Sequence, residues 1–260
     1  MNVSIIIVEY LDVEILRGAI ESIYKHAGGL NFEIIIISNS GYSEKEQKKI
    51  SSSFPDDVYF IYNQDNLGFA RAVNQGIKQS RGEWILLLNP DARLLNDKLS
   101  EAIKFAEQHP YIAIVGPQVQ DSTKKIQDSA RKFITLKTLL RRTTKRFLYS
   151  EQSLSIQEDS NYTEPHPVDW VSGLCMLVRR KAIEKVGLMD ERYFIYVEDM
   201  DWCRRFWQAG YEVWYWPHWI VQHDARRASV RSFSLTNKMM WIHIISLIKY
   251  TLKWKFKIKV

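Results

Sequence analysis

The chain has 260 residues, with 36 Lys and Arg against 30 Asp and Glu, 46% hydrophobic and 13% aromatic side chains. That balance excludes a disordered polypeptide, and having only two cysteines, Cys175 and Cys203, excludes a disulfide-built scaffold and points to a reducing, cytoplasmic setting. The net charge of +6 conceals two basic segments: residues 124–148 carry nine Lys or Arg and one acid, and residues 225–260 carry nine and none, on an otherwise acidic body.

The first residues lack a basic n-region, so no signal peptide is expected. No stretch reaches the ~18 apolar residues of a spanning helix. From Val3 to Val8 a β-branched run predicts a strand buried on both faces. Asp12 to Ala27 has helical spacing at Ile15, Ala19, Ile20 and Ile23, and Gly28-Gly29 ends it. Strands follow at Ile34–Ile37, Val58–Tyr62, Trp84–Leu88 and Ile112–Val115, alternating with helices at Glu44–Ser53, Phe69–Gln79 and Leu99–Gln108. This order predicts a mostly parallel sheet flanked by helices. Residues 118–167 are polar, basic and aperiodic, and predict a partly helical, mobile excursion. Order resumes with a strand over Val171–Val178, helices at Lys181–Val186 and Asp199–Ala209, and strands at Glu212–Trp216 and Trp219–Gln222. The tail interleaves Trp241, Ile244, Ile245, Leu247, Ile248, Tyr250, Leu252, Trp254 and Phe256 with Lys249, Lys253, Lys255 and Lys257. That mixture fits a basic amphipathic helix on an anionic membrane; the plainer reading packs the helix on its own domain, and a third pairs two chains as a homodimer. On the membrane reading, deleting 238–260 removes lipid binding and leaves the fold.

In open α/β sheets ligands sit beyond the carboxyl ends of the strands. Here that rim holds Glu9, Ser38-Asn39, Asn63 to Asn66, and Asn89-Pro90-Asp91. A dinucleotide fingerprint, a P-loop, a serine elbow and zinc-type Cys/His clustering are all missing. The rim is acidic and polar instead. Asn89 and Asp91, two residues apart past an apolar strand, suit Mg²⁺ or Mn²⁺ shared with a substrate's phosphates; the same Asn-Pro-Asp also makes an ordinary turn. Glu198-Asp199-Met200-Asp201 opens a helix. One carboxylate serves for capping, and three in four positions leave acids free to take a proton from a hydroxyl. The flanking Tyr193-Phe194-Ile195-Tyr196 reads as an aromatic wall. His223 closes a strand, as a structural residue or a ligand near the rim.

Taken together, these motifs resemble inverting family-2 glycosyltransferases with a GT-A fold, in the rhamnosyltransferase-like branch of bacterial O-antigen and cell-wall polysaccharide assembly. The resemblance rests on Val3-Ser4-Ile5-Ile6-Ile7-Val8-Glu9-Tyr10, Asn66-Leu67-Gly68-Phe69-Ala70, Leu88-Asn89-Pro90-Asp91-Ala92 and Val115-Gly116-Pro117. It continues through Val168-Asp169-Trp170-Val171-Ser172-Gly173, Gly187-Leu188-Met189-Asp190-Glu191, Glu198-Asp199-Met200-Asp201 and Val221-Gln222-His223. It implies a Rossmann-like, mostly parallel sheet in a domain over 1–224: a nucleotide-binding half over 1–117, the basic excursion 118–167, an acceptor and catalytic half over 168–224, and a helical extension over 225–260.

The resemblance further implies a nucleotide-sugar donor, most readily dTDP-L-rhamnose, and Mg²⁺ or Mn²⁺ held by Asp91, Asn89 and His223. Asp199, beside Glu198, falls at the family's general base. Donor contacts fall on Val8, Glu9, Ser38, Asn39, Asn66, Gly68, Arg71, Asn89 and Asp91, and acceptor contacts on Trp170, Ser172, Gly173 and Tyr196. The expected acceptor is a glycan or polyprenyl-diphosphate-linked saccharide at the inner membrane face, a reading motivated by the two basic segments, which suit an anionic inner-leaflet surface. Two positions depart from the pattern: Glu9 stands where members carry Asn or Thr, and Ser38 where they carry an Asp that reads the pyrimidine base. A UDP-hexose donor and a non-catalytic scaffold are the alternatives. A nucleotidyltransferase is disfavoured by the acidic Glu9-Tyr10-Leu11-Asp12 loop, and nucleic-acid binding by the helical spacing of the tail aromatics.

Overall fold

The computed structural model describes residues 2–27, 29–133, 163–224 and 238–255. Strand β1 (Val3–Glu9) leads through a 3-10 turn (Val13–Ile15) into α1 (Leu16–His26), then β2 (Phe32–Ser38), α2 (Glu44–Ser51), β3 (Val58–Tyr62), α3 (Phe69–Gln79) and β4 (Trp84–Leu88). Neighbouring β-branched side chains point to opposite faces of a strand. Ile5 and Ile7 of β1 therefore enter a core with α1, while Ile6 enters a second core with Ala70, Val73 and Ile77 of α3. Both faces are covered, which is why these strands are continuous apolar runs.

Past β4 the chain turns into β5 (Ala92–Leu94), α4 (Leu99–Glu107) and β6 (Ile112–Gln120), followed by short strands β7 (Ile126–Gln127) and β8 (Ala130–Arg131). After residue 163 come β9 (His166–Pro167), β10 (Trp170–Val171), β11 (Cys175–Arg179), α5 (Arg180–Val186), α6 (Glu198–Gln208), β12 (Glu212–His223) and α7 (Lys238–Lys255). The main sheet runs β3-β2-β1-β4-β11-β6-β12-β5, with β7 beside β6 and β9 beside β12; β8 and β10 form a separate pair. The β3-β2-β1-β4 block and the β6–β12 pair are parallel, as the alternation of elements predicts. β11 enters between β4 and β6 antiparallel to both.

Three sequence expectations change here. The strand expected over Val171–Val178 is broken at Ser172-Gly173-Leu174 into β10 and β11. The two strands expected over 212–222 are one, with a register shift between Trp216 and Ile220. Pro217 lies in that shift, where a missing N–H costs no ladder bond. The excursion expected over 118–167 contains ordered strands at both ends, and its residues 134–162 lie outside the described ones, as do 225–237 and 256–260 of the basic tail.

Helix α7 packs on its own domain. Ser246, Tyr250 and Trp254 form its buried stripe at four-residue spacing. Lys253 Nζ reaches Asp201 Oδ2 and Asp190 Oδ2, both at 2.7 Å, and Trp254 Nε1 donates to Asp201 Oδ1 at 2.8 Å. The expectation that this helix can be removed without affecting the fold is therefore corrected, since its loss strips the fully buried Asp201 of two partners.

Candidate functional site

The carboxyl ends of β1 and β2 are joined by a buried carboxylate. Glu9 stands in register with Ser38, whose hydroxyl donates to Glu9 Oε2 at 2.6 Å. Ser40 Oγ, the Asp12 amide and Tyr42 OH also donate to Glu9, at 2.9, 2.9 and 3.4 Å to Oε1. Glu9 is fully buried. The direct donor contact expected of it is corrected: its carboxylate braces the loop beneath the rim. Val8 is half-buried beside it.

Asparagines carry the rim onward. Asn39 Nδ2 donates to Asn66 Oδ1 at 3.3 Å and to the Gly68 carbonyl at 3.4 Å, and its Oδ1 accepts from Asn63 at 2.9 Å. The Gly68 amide donates back to Asn66 Oδ1 at 2.9 Å. Gly68 has φ +83°, a conformation that suits glycine. A Cβ there would overlap the Phe194 carbonyl oxygen, which already accepts from the Phe69 amide at 2.7 Å. Gly68→Ala is expected to cost about 2–4 kcal/mol from left-handed strain plus overlap, read as a lower midpoint in urea unfolding; an unchanged midpoint refutes this close approach. Arg71 projects from the first turn of α3, 3.6 Å from Glu191 Oε2.

At the end of β4 the Asn89 amide donates to the Leu174 carbonyl at 2.8 Å, and the Ala92 amide closes a turn onto Asn89 O at 3.1 Å. The turn feeds β5, which pairs antiparallel with β12 and sets Ala92 opposite His223. Asp91 Oδ2 thereby lies 3.3 Å from His223 Nε2. His223 Nδ1 is buried and has no hydrogen-bond partner. An aspartate oxygen and an imidazole nitrogen at one spot fit an octahedral divalent cation that takes its remaining ligands from water and phosphate. Among the described residues no three His, Cys, Asp or Glu side chains form a complete metal cage, so Asp91, His223 and the half-buried Asn89 would hold the ion only together with its ligand.

The third wall is the start of α6. Tyr196 and Val197 precede it with φ of +71° and +77°. Two non-glycine residues in this region, one of them β-branched, mark stored strain of the kind found at functional sites. They turn Glu198 inward, where it is buried and its Oε2 has no hydrogen-bond partner. Burial, then the adjacent Asp199 charge, pushes the Glu198 carboxyl well above the ordinary range. Asp199 is held by the Gly173 amide, which donates to Oδ2 at 2.9 Å, and by its neighbour Met200 at 2.8 Å to Oδ1. Burial raises its pKa too; the two amides and the positive charge of Arg131 pull the other way.

These walls meet. A Cβ on Gly173 would stand 3.4 Å from Phe69 Cε1 and 3.5 Å from Asp199 Cβ. The start of α3, the β10–β11 turn and the start of α6 thus converge, and Leu174 of the same turn ties them to Asn89. That convergence also explains the break in the expected strand: the turn exists to present Gly173 to Asp199. Ser172 is fixed by its amide on Ser129 O at 2.8 Å.

The aromatic expectations fare differently. Trp170 is 9% exposed, with Arg131 over its ring at 5.3 Å and its Nε1 on Lys132 O at 3.1 Å, so a sugar platform there is corrected to a packed core residue. Tyr193 is buried with its hydroxyl 3.4 Å from Asp201 Oδ1. Tyr196 packs against His243 of α7 at 4.7 Å between ring centroids. Of the expected wall only Phe194 is broadly exposed. Arg131, beside Asp199 and paired with Asp128 at 3.0 Å, escaped the sequence reading because one arginine in a basic run has no distinguishing signal.

The chain aligns with curated proteins along most of its length. It is 31% identical over 194 residues to rhamnosyltransferase WbbL of Escherichia coli K12, covering 74% of this chain and 70% of that one. It is 27% identical over 213 residues to the N-acetylglucosaminyl-diphospho-decaprenol L-rhamnosyltransferase of Mycobacterium tuberculosis, covering 76% and 68%. Among solved structures, GalNAc-T7 with UDP, GalNAc and Mn²⁺ superposes with TM-score 0.63 at 18% identity over 86% of this chain and 44% of its own. The mannosyltransferase PcManGT of Pyrobaculum calidifontis, with GDP-Man and Mn²⁺, superposes with TM-score 0.60 at 14% identity over 97% and 63%. The fold is GT-A. The family model for Glycosyl transferase family 2 matches residues 4–187, and with so much of the chain inside it, this protein belongs to that family.

Proposed function

We propose that this glycosyltransferase moves L-rhamnose from dTDP-L-rhamnose to a hydroxyl of a polyprenyl-diphosphate-linked saccharide, with inversion, at the cytoplasmic face of an anionic membrane. The observation that carries the reading is the convergence of Asp199 and the Asp91–His223 pair on the end of β4. The named activities of the two bacterial relatives support the choice of sugar. In this reading residues 1–117 bind the donor and 168–224 the acceptor.

Asn39, Asn66 and Gly68 shape the donor side, and Arg71 offers a cation to the diphosphate. Asp91 and His223, with Asn89, would hold a divalent cation, which when bound neutralises charge on the diphosphate. Asp199 accepts the proton of the attacking hydroxyl. The hydroxyl oxygen then bonds to the anomeric carbon as its bond to the diphosphate breaks, and the nucleoside diphosphate leaves with the bonding electrons. One displacement inverts the anomeric centre.

The test is a donor screen by nucleotide release, with dTDP-L-rhamnose and UDP-hexoses as separate arms. Release from dTDP-L-rhamnose that stops with EDTA and returns with Mn²⁺ is expected. Release only from a UDP-hexose overturns the donor, EDTA-insensitive release overturns the metal, and no release from any donor overturns the enzyme reading in favour of a scaffold.

A further inference from the structure

Helix α7 is apolar on two opposite sides. Its inner stripe, Ser246, Tyr250 and Trp254, is buried on the domain. On the reverse side Trp241, Ile244, Ile245, Ile248 and Leu252 recur at helical spacing and are 36–57% exposed. Exposed residues of this size normally occur singly, and a continuous row marks an interaction surface.

We propose that this outer face is a docking surface for the interface of an anionic bilayer. Charge selects the partner. Residues 225–260 contain nine Lys or Arg and no acid, and Lys238 and Lys255 of α7 are exposed. An apolar stripe in a segment without a single negative charge matches an interfacial helix on anionic lipid. A second copy of the same helix brings like charges together and is disfavoured on the same ground. Among the described residues no helix is long and apolar enough to cross a membrane, so α7 lies on the surface.

The inner side of α7 joins this surface to the site. Ser246 Oγ donates to Ile195 O at 3.1 Å, Lys249 Nζ to Arg192 O at 2.7 Å, and His243 packs on Tyr196. The loop entering α6 thus rests on the helix that meets lipid. Placing a lipid-carried acceptor there deepens the transferase reading and rests on it; lipid binding itself does not.

The test is co-sedimentation of the full chain with vesicles of phosphatidylglycerol and phosphatidylcholine, against vesicles of phosphatidylcholine alone. Binding to the anionic vesicles, weakened by salt, is expected. The triple variant Ile245→Gln, Ile248→Gln, Leu252→Gln is expected to bind on the order of tenfold more weakly or worse, because buried apolar area is lost. Its circular dichroism and melting temperature stay unchanged, since the three side chains touch water in the free protein. Failure of the wild-type chain to bind overturns the proposal. So does equal binding by the triple variant, or a lipid-free dimer in light scattering that the triple variant abolishes. No sugar donor enters the assay, so its failure leaves sugar transfer standing, and failure of nucleotide release leaves lipid binding standing.

Discussion

Asp199→Asn is expected to lower turnover on the order of 10²- to 10⁴-fold, the scale of a lost general base. The substitution keeps the shape of the side chain and one acceptor oxygen, which serves either the Gly173 amide, 2.9 Å from Oδ2, or the Met200 amide, 2.8 Å from Oδ1, but not both. Beyond that one acceptor, it removes the capacity to take a proton. The pH profile separates this from a packing defect. Burial raises the Asp199 pKa above its ordinary 3.8, and only the carboxylate accepts the acceptor's proton. Turnover must therefore climb as pH rises through that raised value, and the residual activity of the variant must lack this limb. Stability runs the opposite way. A raised folded-state pKa means that the folded chain holds its proton more tightly than the unfolded one, so the group's stabilisation is complete below 3.8 and is lost as pH rises through the raised value. At neutral pH the variant is relieved of a buried charge but loses one backbone acceptor, so its melting temperature should stay close to that of the wild type. Near-wild-type turnover in a folded variant removes Asp199 from the reaction.

What the sequence makes legible follows from how local each cause is. The bounds of β3, β4 and α3 agree with the sequence expectation because a buried strand needs an unbroken apolar run and α3 starts at a glycine that opens a helix. Asn89-Pro90-Asp91 reads as a turn beyond a strand, and so it is. Direction is not written into an apolar run: Cys175-Met176-Leu177-Val178 looks alike whether it runs with β4 or against it. Nor does composition separate an aromatic platform from an aromatic core, which is why Trp170 reads as an acceptor contact and Tyr193 as part of an aromatic wall while both are packed inside. Glu9 misleads for a related reason. A carboxylate at a strand end suggests a ligand, but Ser38, Ser40 and Tyr42, about thirty positions downstream, enclose it.

The same limit applies with most force to Asp201. In the sequence it is one of three acids in four positions, and only the family resemblance, not any local pattern, sets Asp199 apart from it. In the fold the two part company, because two residues along a helix turn a side chain to nearly the opposite side. Asp199 meets the Gly173 turn, while Asp201 is fully buried against α7. Its Oδ2 accepts from Lys253 at 2.7 Å and Arg205 at 3.2 Å, and its Oδ1 from Trp254 at 2.8 Å. Asp201→Ala leaves Lys253 with Asp190 alone, and leaves the buried Trp254 N–H and the Arg205 guanidinium without this acceptor. Removing one member of such a buried node is expected to cost about 3–5 kcal/mol, a large share of a typical domain's stability. Thermal unfolding should show the melting temperature lowered by roughly 10 °C. Truncation before residue 238 should do comparable damage, because it removes Lys253 and Trp254 together. Asp201→Asn, which keeps one acceptor oxygen and the volume, is expected to fall between Ala and the wild type. If Asp201→Ala melts within a degree or two of the wild type, α7 is an appendage and not a strut. If the melting temperature falls as expected, the helix that faces outward with isoleucines also holds α6, and with it Asp199, in place.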